Sequence, residues 1–227
     1  MNICAFTAVC EEDRDWLRQY IWEAERLEMP FVILLDRFSS RPKILNHRLC
    51  VRVLERHGGE FTEQAKQPLL DAVQQLGYSW ALAWDVDETY ERDFSWKSRN
   101  LMGLDVDAID TRWLNLWGDV HYVRVDREFC KGHRVKFFNL HNRKWVFDHP
   151  ITNGPKLAGR KAKVSNATTA LTCLHHGMMT AELRRLHKDR WDRIYSTALR
   201  GDPNPYNFWR EMVETEDEAV TVRHGYT

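Results

Sequence analysis

The strongest restriction on the fold is an alternation of apolar and amphipathic segments within the first 90 residues. Ile3–Val9 and Phe31–Leu35 are short runs with almost no polar residues, as expected of strands buried on both faces. Between them Trp16, Leu17, Tyr20, Ile21, Ala24 and Leu27 recur at helical spacing, and Pro30 stops that helix. Leu49–Leu54 predicts a third strand, closed by Gly58-Gly59. Ala65, Leu69, Ala72, Val73 and Leu76 then line one face of a second helix, with Gly77 just past its end. Trp80–Trp84 predicts a fourth strand that runs directly into Asp85-Val86-Asp87-Glu88. Repeats of this kind predict a parallel sheet with helices on both faces.

After Gly103 the pattern changes. Residues 113–126, with Val120, Tyr122, Val123 and Val125, predict one long strand. Residues 134–147, with Val135, Phe137, Phe138, Trp145, Val146 and Phe147, predict another. Residues 150–165 contain Gly, Pro and Lys/Arg and predict a mobile loop, and Thr180–Leu199 predicts a helix. The chain thus reads as one α/β domain with a first half over 1–90, a second half over 91–210 and an acidic tail over 211–227. A length of 227 residues provides ample core without staples. No apolar run approaches the roughly 20 residues that span a bilayer. The N-terminus has no basic n-region, and the five cysteines form no Cys-x-x-Cys pair. These features predict a protein of the cytoplasm with reduced thiols.

The formal net charge is 0, which by itself argues against a polyanionic partner. Its distribution argues the other way. Residues 131–163 hold nine basic residues and one acid, Asp148, a net +8, so the remainder carries −8. The nine cations are interleaved with Phe137, Phe138, Trp145 and Phe147, the pairing of phosphate contacts and stacking surfaces that suits nucleic acid. A solvated strand face with its aromatics turned inward is the equally weighted alternative.

In an open α/β sheet, ligands bind at the carboxyl ends of the strands. Three predicted strand ends carry acids or small polar groups: Thr7–Asp13, Asp36–Ser40 and Asp85–Glu88. Acids there suit a divalent cation or a ribose hydroxyl. Asp85-x-Asp87 supplies two hard oxygen ligands on a tight turn, a pattern suited to Mg²⁺ or Mn²⁺ bound together with a diphosphate. An acidic turn that merely caps the next segment is the simpler alternative. Phosphate-binding Gly-rich loops and the Gly-x-Ser-x-Gly elbow are missing, which removes P-loop ATPase, Rossmann dehydrogenase and α/β-hydrolase readings. His175-His176-Gly177, followed by Arg184, Arg185, Lys188 and Arg190, places imidazoles beside guanidiniums, a combination that serves a metal and phosphate oxygens.

Tyr78–Glu88 resembles the "D-W-x-x-x-x-D-x-D-E" segment of GT-A glycosyltransferases related to family 2, with Ser79 where that pattern has its first Asp. Cys173–Thr180, with Arg184 and Arg190-Trp191, is similar to their later "H-x-G-x-M-T … R … R-Y/W" segment. The resemblance implies a GT-A-like Rossmann-type mixed sheet in a single domain, and a transferase using a nucleotide-sugar, a UDP-sugar first, with Mn²⁺ or Mg²⁺. It implies that Asp87 binds the metal and that Asp85 binds the ribose, the sugar or the metal. His175 is the implied third ligand, with His176 as substitute. Thr7, Ala8, Glu11 and Asp36 would line the base and ribose, and Arg184 and Arg190 the phosphates. Asp36-Arg37-Phe38-Ser39-Ser40 departs from the family's "D-x-S-x-D".

Such a transfer needs a base for the acceptor hydroxyl in inverting members, and Asp148 is the candidate, with Asp119 and Glu128 as rivals. Lys144, Trp145, Arg160 and Lys161 are the candidate acceptor contacts. The charge pattern points first to a hydroxymethylated pyrimidine base in DNA, as some bacteriophages glycosylate. A bacterial surface polysaccharide precursor is the alternative acceptor. A nucleic-acid-binding module without catalysis and a nucleotidyltransferase are readings from other classes.

Overall fold

The computed structural model describes residues 2–58, 61–125, 132–148, 154–165, 171–198 and 221–224. Its first half contains β1 (Ile3–Cys10), α1 (Trp16–Leu27), β2 (Phe31–Asp36), β3 (Cys50–Arg56), α2 (Gln67–Gln75) and β4 (Trp80–Ala83). The second contains β5 (Glu88–Tyr90), α3 (Phe94–Met102), β6 (Ala108–Trp117), β7 (Asp119–Arg124) and β8 (His133–Asn139). These are followed by β9 (Trp145–Val146), β10 (Lys156–Leu157), β11 (Val164–Ser165), β12 (Thr172–His175), α4 (Ala181–Ala198) and β13 (Thr221–Arg223).

The apolar strands are apolar throughout because helices cover both faces. Ile3, Ala5 and Val9 of β1 pack with Leu17, Tyr20, Ile21, Ala24 and Leu27 of α1. Cys4 and Phe6, on the opposite face, pack with Leu69, Leu70, Ala72 and Val73 of α2. β1 pairs in parallel with β2 on one side and with β4 on the other, so the chain direction across the sheet reverses at β1. β4 stops opposite Phe6, whereas β1 continues to Cys10 opposite Asp36. The second half joins the first along β4, with which β8 pairs, and the chain enters it through the turn beyond the end of β4.

That second half makes the sheet mixed. Its main path runs β13-β7-β6-β8-β4-β1-β2-β3, with β8 antiparallel to both β4 and β6. β12 lies parallel to β6 and antiparallel to β5, while β9 and β10 form a separate ribbon. The result is a single mixed α/β domain. No helix of the described residues is long and apolar enough to cross a membrane. Cys4, Cys10, Cys50 and Cys173 are free thiols.

Several local expectations change. Of the segment expected as one strand over 113–126, residues 113–124 belong to a hairpin, β6–β7, that turns at Gly118 with φ +84°, a conformation that favours glycine. The strand expected over 134–147 ends at Asn139, whose side-chain Oδ1 accepts the His141 N–H in a local turn. α1 ends at Leu27, before Pro30, with Glu28 in the left-handed region. Within 150–165, the described residues carry β10 and β11. The tail over 211–218 lies outside the described residues.

The basic segment is tied into the fold by Asp107, 3% exposed in its side chain. Its carboxylate accepts bonds from Arg143 Nε, both terminal nitrogens of Arg160 and the Lys163 N–H, at 2.5–2.8 Å. Arg160 foremost, with Lys163 and Arg143, holds this carboxyl below the usual carboxylate range. Asp107→Ala is expected to cost about 1–3 kcal/mol, because it removes the charged acceptor of four hydrogen bonds and leaves the largely buried Arg143 without its partner, whereas the exposed Arg160 can turn to water. A depressed folded-state pKa stabilises above the unfolded value of about 4 and loses that contribution as pH falls through the folded value. Urea unfolding should therefore show a gap between wild type and variant at pH 7 that narrows below pH 4. A constant gap would contradict the ionic origin.

Candidate active site

Past β4 the chain turns tightly, with the Glu88 N–H donating to the Asp85 carbonyl at 3.1 Å. Fully buried Trp84 anchors the turn: its indole N–H donates to the Glu88 carbonyl at 2.9 Å, and its ring packs on Tyr20 and Tyr90. The turn sends its two aspartates into different surroundings.

Asp85 is held between two ammonium groups, Lys66 Nζ and Lys136 Nζ, each at 3.2 Å. Lys136 also donates to both oxygens of Glu88 at 2.7 and 2.9 Å, and Glu88 accepts the Trp113 indole N–H at 2.8 Å. Burial opposes ionisation of Asp85, but Lys136 and Lys66 outweigh it and hold the carboxyl below its usual range. Burial likewise favours neutral amines, yet Asp85, with Glu63 or Glu88, keeps both lysines above the ordinary lysine value. Asp85 is thus an ionised, acceptor-only group with its orientation fixed.

Asp87 faces imidazoles instead. Its Oδ2 lies 3.2 Å from His175 Nε2 and 3.6 Å from His187 Nε2. Burial would raise its pKa, but His175 and His187 hold the carboxyl well below the usual range. One ligand atom from each of Asp87, His175 and His187 lies within 4.8 Å of the others. His175 comes from the end of β12, opposite Asn115 of β6, and its Nδ1 is 2.7 Å from Asn115 Oδ1. Trp113 stacks on the same ring at 4.5 Å. Gly177 leaves room beneath the cluster. A Cβ added there would meet Asp87 Oδ2, His187 Nε2 and His175 Nε2, each closer than 3.0 Å. The residues therefore fit a small cation: one carboxylate oxygen and two imidazole nitrogens converge on a space that only a glycine leaves open.

The remaining expected site residues divide into three groups. His176, the expected substitute for His175, is turned to Thr89 Oγ1 at 3.0 Å, while its backbone N–H donates to the Asp87 carbonyl at 2.8 Å. Burial pushes its pKa down to about 4. On the donor side, Thr7 and Ala8 lie within β1 rather than after it, because pairing with β2 continues to Cys10. Thr7 is buried, and Glu11 follows the strand and binds Arg14 at 2.7 Å. Asp36 is buried beneath Arg37 and Arg56, at 2.9 and 2.5 Å. Arg184 folds onto the Met178 carbonyl at 2.9 Å and over the Trp117 ring. Arg190 grips both oxygens of Asp13 at 2.8 Å, fastening α4 over the end of β1.

On the acceptor side the arrangement departs from expectation. Phe137, Phe138, Trp145 and Phe147 are buried core side chains, so the anticipated stacking surface is turned inward. The Trp145 indole N–H donates to the Asn139 carbonyl at 2.8 Å. Lys136 is spent on Asp85 and Glu88, Arg143 and Arg160 on Asp107, Lys156 on Asp148, and Lys163 on Asp105. Lys144 and Lys161 are exposed. Asp148 is exposed and lies 3.2 Å from Lys156, Asp119 accepts the His121 N–H, and Glu128 lies outside the described residues. Not anticipated from sequence are His187, Asn115, Lys66 and the pairing of Lys136, counted with the basic segment, with Glu88 of the acidic strand end.

No family model and no curated protein matches the sequence. Among solved structures, S. aureus TarS residues 1–349 match with a TM-score of 0.50 at 8% identity, covering 95% of this chain and 70% of that one. Structures of the same protein in complex with UDP and with UDP-GlcNAc score 0.49 and 0.46, at 8% and 9% identity, with 95% of this chain and 70% and 71% of theirs covered. At such identity the likeness is one of fold, and the fold is the GT-A Rossmann-like one.

Proposed function

We propose that the chain is a metal-dependent glycosyltransferase that takes a nucleotide-sugar, a UDP-sugar in first place. The observation that carries this reading is the convergence of Asp87, His175 and His187 just beyond β4, beside the point where the sheet reverses direction. This reading is supported by a set of groups suited to a cation and, beside it, a carboxylate held by two lysines, at the place where open α/β sheets take nucleotides.

In this reading Asp87 and His175 would hold Mn²⁺ or Mg²⁺, and such a cation would supply positive charge to offset that on the leaving diphosphate. Asp85, fixed by Lys66 and Lys136, accepts hydrogen bonds from ribose or sugar hydroxyls. Glu11, Thr7 and Ala8 border the nucleoside side, with Asp36 beneath it. Arg190 and Arg184 support the phosphates by holding α4 and the Met178–Met179 turn in place. Asp148 is the proposed base, and it must part from Lys156 to take a proton from an acceptor hydroxyl.

The acceptor reading shifts. A hydroxymethylated base in DNA was favoured by cations interleaved with aromatics, and both supports are weakened by the burial and pairing described above. We therefore place a saccharide hydroxyl, such as that of a surface polysaccharide precursor, ahead of a DNA base. The decisive experiment is a thermal-shift screen of UDP-, GDP-, CMP- and dTDP-sugars with Mn²⁺ or Mg²⁺. A metal-dependent rise in Tm with one nucleotide, UDP first, is expected. No shift with any nucleotide-sugar would overturn the reading. Transfer to hydroxymethylpyrimidine DNA but not to saccharides would reverse the order of acceptors.

A further inference from the structure

We propose that His187 is a third protein ligand of a metal site complete before any nucleotide arrives, and that this set selects Mn²⁺, Co²⁺ or Zn²⁺ over Mg²⁺. The inference rests on the same site as the glycosyltransferase reading and specifies its metal. A pair of aspartates on a turn supplies too few ligands to retain a cation alone, and Mg²⁺ held that way takes much of its coordination from substrate phosphates and water. Here the second aspartate has two imidazoles for company, from different elements: β12 contributes His175 and α4 contributes His187.

Three independent features point to a site built for an ion. The first is convergence: the three ligand atoms lie within 4.8 Å of one another and all crowd the side of Gly177 that a Cβ would occupy, so the missing side chain leaves them free to share one ion. The second is the shell behind His175. Asn115 Oδ1 takes the Nδ1 proton at 2.7 Å, which leaves Nε2 as the atom facing the focus, and the Trp113 ring fixes the imidazole plane. The third is graded exposure. The His175, Asp87 and His187 side chains are 7%, 13% and 20% exposed, which seats the ligands below the surface while leaving one side open.

Ligand chemistry then sets the preference. Two neutral nitrogens and one carboxylate suit first-row transition ions and Zn²⁺, whereas Mg²⁺ prefers oxygen ligands throughout. The position of His187 has a structural consequence as well. α4 is already fastened to the first half by the Arg190–Asp13 pair, and a metal at this focus would fasten its N-terminal half to β12 and to the turn after β4.

The test uses the full chain without nucleotide. Titration with Mn²⁺, Co²⁺, Zn²⁺ and Mg²⁺ is followed by calorimetry, and the Co²⁺ form by its visible absorption. The transition ions are expected to bind with one equivalent per chain, and Mg²⁺ at least about tenfold more weakly. His187→Ala should lower Mn²⁺ affinity by at least about tenfold and alter the Co²⁺ spectrum. Gly177→Ala removes no ligand but fills the focus, and it should have the same effect; circular dichroism checks that both variants fold. His57→Ala, an exposed histidine elsewhere, should bind as the wild type does. Equal affinity for Mg²⁺ and Mn²⁺, or unchanged Mn²⁺ affinity in folded His187→Ala, would overturn the proposal. Metal binding that depends on His187 without any nucleotide-sugar shift would leave this site standing and remove the transferase reading.

Discussion

Asp87→Ala is expected to lower metal-dependent release of nucleotide from a UDP-sugar by about 10³-fold, while the far-UV spectrum and the Tm change little. The magnitude follows from what a Lewis-acidic cation contributes, several kcal/mol of transition-state stabilisation, which is lost when the central ligand goes. The fold should survive because Asp87 is not a structural keystone. Its backbone carbonyl still receives the His176 N–H, and its neighbour Trp84 still anchors the turn. Asp85→Ala should behave differently: it leaves Lys66 and Lys136 facing each other without the anion between them, so stability falls together with donor affinity. A nucleic-acid-binding module with a merely acidic turn predicts the opposite for Asp87→Ala, namely no loss of any activity. Measuring UDP release with and without Mn²⁺, beside thermal unfolding of both variants, separates the two.

The parts of this site legible in the sequence are those fixed by local pattern. Unbroken apolar runs announced β1, β2 and β4, and strand-end logic placed Asp85 and Asp87 in the turn just past β4. The His175-His176-Gly177 segment was legible as a ligand candidate, though not which histidine faces Asp87; that depends on the last residue of β12 lying opposite Asn115. His187 was not legible, because it sits between Arg184, Arg185 and Lys188 and shares their look of a solvated basic face. Only the docking of α4, through Arg190 and Asp13, turns that position toward Asp87. The basic segment misled for a similar reason. A local sum of +8 counts Lys136, Arg143 and Arg160 as available, whereas Asp85, Glu88 and Asp107 from the acidic remainder neutralise them across the sheet. Net neutrality is achieved pairwise inside the fold, which no segment-by-segment reading discloses.

Lys136→Met should show how much the site depends on that pairing. Lys136 and Glu88 are 9% and 1% exposed in their side chains, and the lysine donates to both Glu88 oxygens and to Asp85. Methionine matches the length of the stem but leaves Glu88 a buried anion with only the Trp113 indole and the Asp85 N–H to satisfy it. Removing one partner from such a pair costs about 3–5 kcal/mol, because the remaining charge is stranded away from water. The expected result is a fall of that size in urea unfolding, together with weaker nucleotide-sugar binding, since Asp85 loses one of the two cations that orient it. Adding Glu88→Gln removes the stranded charge and should recover part of the stability. It should not recover binding, because Asp85 still lacks its second ammonium. If stability fell by less than about 1 kcal/mol, the pair would be dispensable scaffolding. If Glu88→Gln restored binding as well, Lys136 would act only through the fold and not through the orientation of Asp85.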